Sequence, residues 1–152
     1  SSSSSSSISY HRRPLPSSLI SLSSLKGKLM FKQSLLLSTL ECYFPLSEQF
    51  ITQSEPSFCS LSSLTMVLNA LNYDPKITWK GIWRWITEET LLCHSNKLCG
   101  HTKEKIKIHG MNFEDFEALK VCQEGIFIKS FRASDNKIEN FRELVINNCS
   151  AI

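Results

Sequence analysis

The sequence predicts an α+β domain in which helices dominate, and three observations lead to this fold class. Apolar residues recur at helical offsets of 3, 4 and 3 in the stretch that follows Cys59. Two later stretches, 111–125 and 134–148, also carry their apolar residues at helical spacing. The alternating residues of 126–131 ("IFIKSF") are typical of a strand. At 152 residues, the chain has room for one domain.

The first 25 residues differ in composition from the rest. Residues 1–25 are rich in serine and proline, and we expect them to lack a fixed fold at their outer end. Residues 26–152 form the expected folded part, which begins with a helix-compatible pattern over 26–40. The chain opens with seven serines and without methionine, so we interpret it as a translated fragment of a longer reading frame.

The clearest element is a helix over 58–71. Ser57 is its expected N-cap, and a turn at 72–75 closes it. We expect one buried face, formed by Leu61, Leu64, Leu68 and Leu71.

The elements that follow are less regular. We expect the three tryptophans of "WKGIWRW" to pack in the core on a helix, rather than to form a binding platform. Arg84 between them has either a structural role or pairs with a substrate carboxylate. Residues 93–110 are expected to be a surface loop, in which "KEKIK" is a solvated face.

Two helices are expected in the last third of the chain. The first, over 111–125, ends at Gly125. The second is capped near Ser134 or Asp135, and its expected inward face consists of Ile138, Phe141, Leu144 and Val145.

Composition and charge argue against several classes of function. The formal net charge is +3 and the basic residues are scattered, so we expect no nucleic-acid partner. No apolar run approaches the roughly 20 residues that cross a bilayer, so we expect no membrane partner. The six cysteines lack Cys-x2-Cys spacing, and without a secretory signal we expect reduced thiols and a cytoplasmic location.

Cys59 stands at the expected start of a helix, which leaves two interpretations. A helix N-terminus favours the thiolate, which is the nucleophilic form of cysteine. Acyl transfer also needs donors for an oxyanion, and these can be the Cys59 N–H and the amide of Gln53, six residues upstream. The alternative is that Cys59 is a small core residue and Gln53 a solvated loop residue.

A resemblance bears on this choice. The stretch "TQSEPSFCSLSSLTMVLNALNYDP", followed by "WKGIWRW", closely resembles the N-terminal catalytic domain of phytochelatin synthases. Upstream "YHRRPLP" and downstream "FRASDNKIENFRELV" resemble the same family in the same order. The resemblance implies a papain-like cysteine-peptidase fold, of which mainly the helical N-terminal half is present. By the same resemblance, 26–152 is a partial catalytic domain.

The family resemblance also implies an activity. It is that of a γ-glutamylcysteine dipeptidyl transpeptidase, which makes phytochelatins from glutathione through a cysteine acyl-enzyme. Cys59 falls on the family nucleophile and Gln53 on the oxyanion-hole glutamine, in agreement with the chemical argument. The implied substrates are glutathione and growing phytochelatins. The implied activator is a heavy-metal ion (cadmium, zinc or copper), partly as a metal–glutathione thiolate, and no organic cofactor is implied.

The family triad also needs a histidine and an aspartate, which lie beyond the segment corresponding to Cys149. None of the chain's four histidines matches the family base: His11, His94, His101 and His109. We therefore expect the chain as given to be nearly inactive.

Residues 93–101 gather two thiols and two imidazoles, ligands that suit zinc, cadmium or copper(I). We predict a metal contact there in which Cys93 takes part, the alternative being an exposed insertion with incidental ligands. Two other functions stay open. One is a catalytically dead fragment that binds metal or glutathione through its cysteines, and the other is a papain-like hydrolase.

Overall fold

A computed structural model describes residues 14–92, 102–121, 125–135 and 137–150. These residues are mainly helical, with one small two-stranded sheet, which is compatible with the expected α+β class. The chain divides into two compact units, residues 1–40 and 41–152. None of the helices in the described ranges is both long and apolar enough to cross a membrane.

The first unit contains helix α1, Leu25–Leu36, which confirms the helix expected within 26–40. Ser24 caps it, and its side chain accepts a hydrogen bond from the Gly27 N–H at 3.1 Å. Gly27 is buried where the preceding turn passes close by. A Cβ at this position would lie 2.2 Å from the Ser21 carbonyl oxygen, so only glycine fits without a shift of the backbone.

The second unit contains the remaining elements. In chain order these are α2 (Tyr43–Glu48), α3 (Cys59–Ala70), β1 (Thr78–Lys80), β2 (Trp83–Arg84), α4 (Lys103–His109), α5 (Phe113–Val121), a 3-10 turn (Ala133–Asp135) and α6 (Ile138–Ser150). Residues 88–92 are also helical. Helix α2 was not expected, but it accommodates Pro45 because that residue lies in the first turn, where its backbone needs no N–H donor.

Helix α3 provides three of the nine buried apolar side chains in the core of the second unit, more than any other described element. The expected face is buried at three of its four leucines, but Leu71 is 60% exposed. The helix ends at Ala70, and Asn72 adopts a positive φ of 53° that turns the chain away from the core. The core is completed by residues from five other segments: Phe58, Ile86, Leu91, Leu92, Ile106 and Leu119.

The tryptophan segment is not a helix, and its side chains are not in the core. β1 and β2 pair antiparallel, and Gly81 makes the turn between them with a φ of 59°. All three tryptophans, Trp79, Trp83 and Trp85, are at least 43% exposed, so the expected core packing is wrong. Arg84 forms an ion pair with Asp74 at 3.0 Å, which favours its structural role.

The expected surface loop over 93–110 is wrong for its second part, which forms α4. The Thr102 side chain caps this helix by accepting from the Lys105 N–H at 3.2 Å. Ile106 is fully buried in the core, while the charged residues around it are exposed, as expected for "KEKIK".

No strand forms at 126–131 among the described residues, although the alternation of the sequence is retained. Ile126 and Ile128 pack against the core, and Phe127 between them is exposed. A strand requires a hydrogen-bonded partner strand, and the only described sheet is the hairpin of β1 and β2. The segment is therefore not part of a sheet.

The last two expected helices are both present, but their bounds differ from the expected ones. Helix α5 is described as far as Val121, and Gly125 has the positive φ of 80° typical of a C-terminal stop. Helix α6 begins at Ile138, because Ser134 and Asp135 belong to the 3-10 turn instead of capping it. Its expected inward face is not buried, since Ile138, Phe141 and Val145 are each at least 43% exposed.

One buried polar side chain joins α3 to the segment after the hairpin. The Asn69 amide donates to the Ile86 carbonyl oxygen at 2.9 Å and accepts from the Ile86 N–H at 3.2 Å. Asn69 is only 7% exposed, so water cannot replace these two bonds when the amide is lost.

We predict that Asn69→Ala lowers the free energy of unfolding by about 1–3 kcal/mol, because it leaves two buried backbone groups of Ile86 unpaired. Urea unfolding measures this change. The matched control is Asn148→Ala, which removes an exposed amide bonded at 2.7 Å to the Leu144 carbonyl and should change the value by less than about 0.5 kcal/mol. Equal losses in the two variants would contradict the structural role of Asn69.

Candidate active site

Cys59 is the first residue of α3, and its thiol is free and exposed. The core face of the helix fixes this orientation. Cys59, Ser63 and Val67 are spaced by four residues and form the exposed face of the helix, opposite the buried leucines. The interpretation of Cys59 as a core residue is therefore wrong.

The start of α3 lacks a side-chain cap. Phe58 occupies the N-cap position with φ −91° and ψ 16°, and it makes no side-chain capping bond. The expected cap, Ser57, instead donates its hydroxyl to the Lys107 carbonyl oxygen of α4 at 3.0 Å. No capping side chain therefore occupies the N–H groups of the first turn, including that of Cys59. This is the kind of N-terminus that can accept developing negative charge.

Gln53 lies in the loop before α3 and is half-buried. Its amide nitrogen donates to the Glu55 carbonyl oxygen at 2.8 Å and to the Pro56 carbonyl oxygen at 2.9 Å. An amide nitrogen carries two hydrogens, so both donors are engaged within the loop. In this structure Gln53 therefore shapes the loop that leads to Cys59.

Glu88 connects this loop to α3. Its carboxylate accepts from the hydroxyls of Ser54 and Ser62, and the Ser54 N–H lies 3.4 Å from both of its oxygens. Ser62 is buried one turn after Cys59, and Ser54 directly follows Gln53. One carboxylate therefore sets the position of the loop relative to the start of the helix.

Helix α4 holds the other side of the loop. Lys107 forms an ion pair with Glu55, and its carbonyl oxygen accepts from Ser57. A second ion pair, between Lys103 and Glu89 at 2.6 Å, connects α4 to the helical residues 88–92. The Lys103 ammonium lowers the pKa of the Glu89 carboxyl below its usual value.

The other chemistry-bearing residues lie elsewhere. His109 is exposed at the C-terminal end of α4. Within the part of the chain that the structure describes, no three His, Cys, Asp or Glu side chains come close enough to hold a metal ion. The predicted metal contact at Cys93 lies outside the described residues, as do His11, His94 and His101.

Two of the exposed tryptophans, Trp83 and Trp85, border a groove of about 340 Å³, which is also lined by Asn69, Tyr73 and Asp74. A second groove, of about 500 Å³, lies between the 3-10 turn and α6. Neither of these two grooves is lined by Cys59 or Gln53. The tryptophan groove is therefore separate from the thiol, and its Arg84 is already paired with Asp74.

Comparison with known proteins defines the family. Residues 10–152 match the family model of phytochelatin synthase. The chain is 40% identical over 142 residues to glutathione gamma-glutamylcysteinyltransferase 3 of Lotus japonicus, covering 93% of the chain and 28% of that protein. It is 42% identical over 139 residues to glutathione gamma-glutamylcysteinyltransferase 1 of Arabidopsis thaliana, covering 91% of the chain and 27% of that protein.

A fungal relative is also similar. The chain is 36% identical over 144 residues to the glutathione gamma-glutamylcysteinyltransferase of Schizosaccharomyces pombe, covering 95% of the chain and 33% of that protein. The chain thus spans between a quarter and a third of the length of these relatives. It belongs to the phytochelatin synthase family.

The sequence proposed Cys59 and Gln53 as candidate site residues but not the residues that position them. Glu88 was missed because it lies 34 residues from Ser54 and has no local pattern of its own. Lys107 was interpreted as part of a solvated face, and its side chain is indeed exposed. Its contact with the loop comes from the tip of that side chain and from its backbone carbonyl.

We predict that Glu88→Gln loosens the loop before α3. The variant removes charge-assisted hydrogen bonds to Ser54 and Ser62, so unfolding should become easier by about 1–3 kcal/mol. The Ser54 N–H should also exchange with solvent faster, as measured by hydrogen exchange at this amide.

The matched control is Glu89→Gln, which removes the same charge from the neighbouring position. Glu89 is exposed and forms its ion pair with the exposed Lys103 side chain, not with the loop before α3, so exchange at Ser54 should not change. Equal effects of the two variants on Ser54 would show that Glu88 does not tether the loop.

Proposed function

We propose that the chain carries the nucleophile of a γ-glutamylcysteine dipeptidyl transpeptidase, which makes phytochelatins from glutathione. The observation that carries this proposal is the exposed Cys59 thiol at the uncapped start of α3. Membership of the phytochelatin synthase family supports it. The relatives' names also support it, since they describe the transfer of a γ-glutamylcysteinyl group from glutathione.

In the proposed reaction, the Cys59 thiolate attacks the carbonyl carbon of the Cys–Gly peptide bond of glutathione. The tetrahedral intermediate collapses with cleavage of the C–N bond, and glycine leaves with a proton on its nitrogen. The product is a γ-glutamylcysteinyl thioester on Cys59. The α-amino group of a second glutathione, or of a growing phytochelatin, then attacks this thioester, forms a new peptide bond and releases the thiol.

The oxyanion of the tetrahedral intermediate lies next to the start of α3 in this proposal. The Cys59 N–H is one donor, because no capping side chain competes for it. Gln53 is the proposed second donor. Since its two amide hydrogens are bonded to the carbonyls of Glu55 and Pro56, it must release one of them to serve the oxyanion.

A general acid is needed to protonate the leaving glycine nitrogen. We assign this role to a histidine, oriented by an aspartate, in the portion of the relatives that this chain does not cover. The complete domain is proposed to have a papain-like fold, with α3 as its nucleophile helix. The chain as given should then react with glutathione only very slowly.

Heavy-metal ions enter the proposal as part of the substrate. A cadmium, zinc or copper ion bound by the glutathione thiol neutralises a sulfur that would otherwise compete with Cys59 for the acyl group. The described residues do not offer a three-ligand site for such an ion, so no step is assigned to a protein-bound metal. A cytoplasmic location is proposed because the three described cysteines are free thiols, as a reducing compartment would keep them.

We predict that a γ-glutamylcysteinyl aryl thioester acylates Cys59 in this chain. An aryl thiolate leaves without a proton, so this donor tests the nucleophile without requiring the general acid. Mass spectrometry of the intact chain and of its peptides should show one γ-glutamylcysteinyl group at Cys59. Acylation should be at least about tenfold slower in Cys59→Ser, because a hydroxyl is a much weaker nucleophile at neutral pH.

Cys42→Ser is the matched control, since it removes a half-buried thiol elsewhere and should leave acylation of Cys59 unchanged. Glutathione offered in place of the aryl thioester should give little adduct. Acylation spread evenly over the cysteines, without selectivity for Cys59, would overturn the proposed nucleophile.

A further inference from the structure

Two other cysteines of the second unit lie next to each other. Cys42 is the N-cap residue of α2, and Cys149 lies near the end of α6, 107 positions later in the sequence. Their Sγ atoms are 3.4 Å apart, and both side chains are half-buried. The proposed chemistry of Cys59 uses neither of them.

The backbone holds this pair together independently of the two side chains. The Glu41 N–H donates to the Cys149 carbonyl oxygen at 2.9 Å. This bond joins the residue just before Cys42 to Cys149 itself. The two thiols therefore meet because the chain segments that carry them are hydrogen-bonded, and not only because two rotamers happen to converge.

The lack of further ligands among the described residues favours a covalent bond over a shared metal ion. A disulfide has its sulfurs about 2.05 Å apart, so rotation of the side chains must bring them closer by about 1.4 Å. Two thiolates on a tetrahedral zinc ion, each at about 2.3 Å from it, stand about 3.8 Å apart, so the separation of the sulfurs alone would also suit a shared ion. Among the described residues, no third ligand completes a metal site with them.

We propose that Cys42 and Cys149 are a redox-active dithiol, which a low-molecular-weight disulfide such as oxidised glutathione converts to an intramolecular disulfide. One cysteine thiolate attacks the small disulfide, forms a mixed disulfide and releases one small thiolate. The second cysteine then loses its proton to water and attacks the first cysteine's sulfur, expelling the second small thiolate. In balance, two protein S–H groups and one small disulfide give one protein disulfide and two small thiols.

The environment of Cys42 is consistent with a cross-link that persists once formed. Burial and the adjacent Cys149 thiol raise the pKa of the Cys42 thiol above its usual value. The thiolate of Cys42 is therefore not stabilised in the reduced protein. Some protein disulfides are strong oxidants because their reduced, thiolate form is stabilised. Cys42 has no such stabilisation of its thiolate.

The test is to incubate the reduced 152-residue chain with excess oxidised glutathione in the absence of air, alkylate the remaining thiols and digest it with a glutamyl endopeptidase. Cleavage after glutamates places Cys42 on 42–48, Cys59 on 49–88 and Cys149 on 144–152, because the Glu55–Pro56 bond resists cleavage. Non-reducing mass spectrometry should find 42–48 joined to 144–152. This cross-link should exceed any that contains Cys59 by about tenfold or more, since proximity raises the effective concentration of the second thiol.

Three variants make the result specific. Cys42→Ser and Cys149→Ser should each lose the cross-link and retain a glutathione adduct on the remaining partner. Cys59→Ser should keep the cross-link, so this result does not depend on the proposed nucleophile. The proposal is overturned if the wild-type chain carries separate glutathione adducts on Cys42 and Cys149, or if these two cysteines pair indiscriminately with the others.

Discussion

Burial of the apolar face of α3 is the constraint on which the rest of the second unit depends. Leu61, Leu64 and Leu68 are packed against side chains from the hairpin end, the helical residues 88–92, α4 and α5. Because a helix is rigid, burying these three leucines also fixes the direction of every other side chain on it. The Cys59 thiol is exposed as a consequence of this packing, and the same packing brings Glu88 next to Ser62. Core and candidate site are thus two faces of one helix.

The start of α3 lacks the stabilisation that a capping side chain would give. A serine, threonine, aspartate or asparagine at an N-cap typically stabilises a helix by about 1 kcal/mol. Here Phe58 holds that position and buries its ring in the core instead, while the available serine, Ser57, bonds to α4. The N–H groups of the first turn are left for another acceptor. Burial of Phe58 offsets the missing cap, since a fully buried phenylalanine contributes about 1.5–3 kcal/mol.

The sequence predicted those features that depend on local periodicity. The position of α3, its three buried leucines and the cysteine at its first residue all follow from spacing of three and four residues. The failures share another cause, because they depend on what packs against an element. The tryptophans were assigned to a helix, but the positive φ of Gly81 turns their segment into a hairpin. The alternation of 126–131 is present, yet a strand needs a partner that local sequence does not specify.

The loop before α3 explains why the site itself could be predicted only in part. Its own bonds, from the Gln53 amide to two carbonyls, span two and three residues and are within the reach of sequence reasoning. The bonds that anchor the loop to the rest of the unit span many more residues. The bond to Glu88 spans 34 residues, and those to the carbonyl oxygen and the ammonium group of Lys107 span 50 and 52. Local bonds give the loop its shape, and distant ones give it its position relative to the thiol. A segment containing only the loop and α3 would retain the motif but lose the anchors, so the geometry around Cys59 is a property of the packed unit and not of the motif alone.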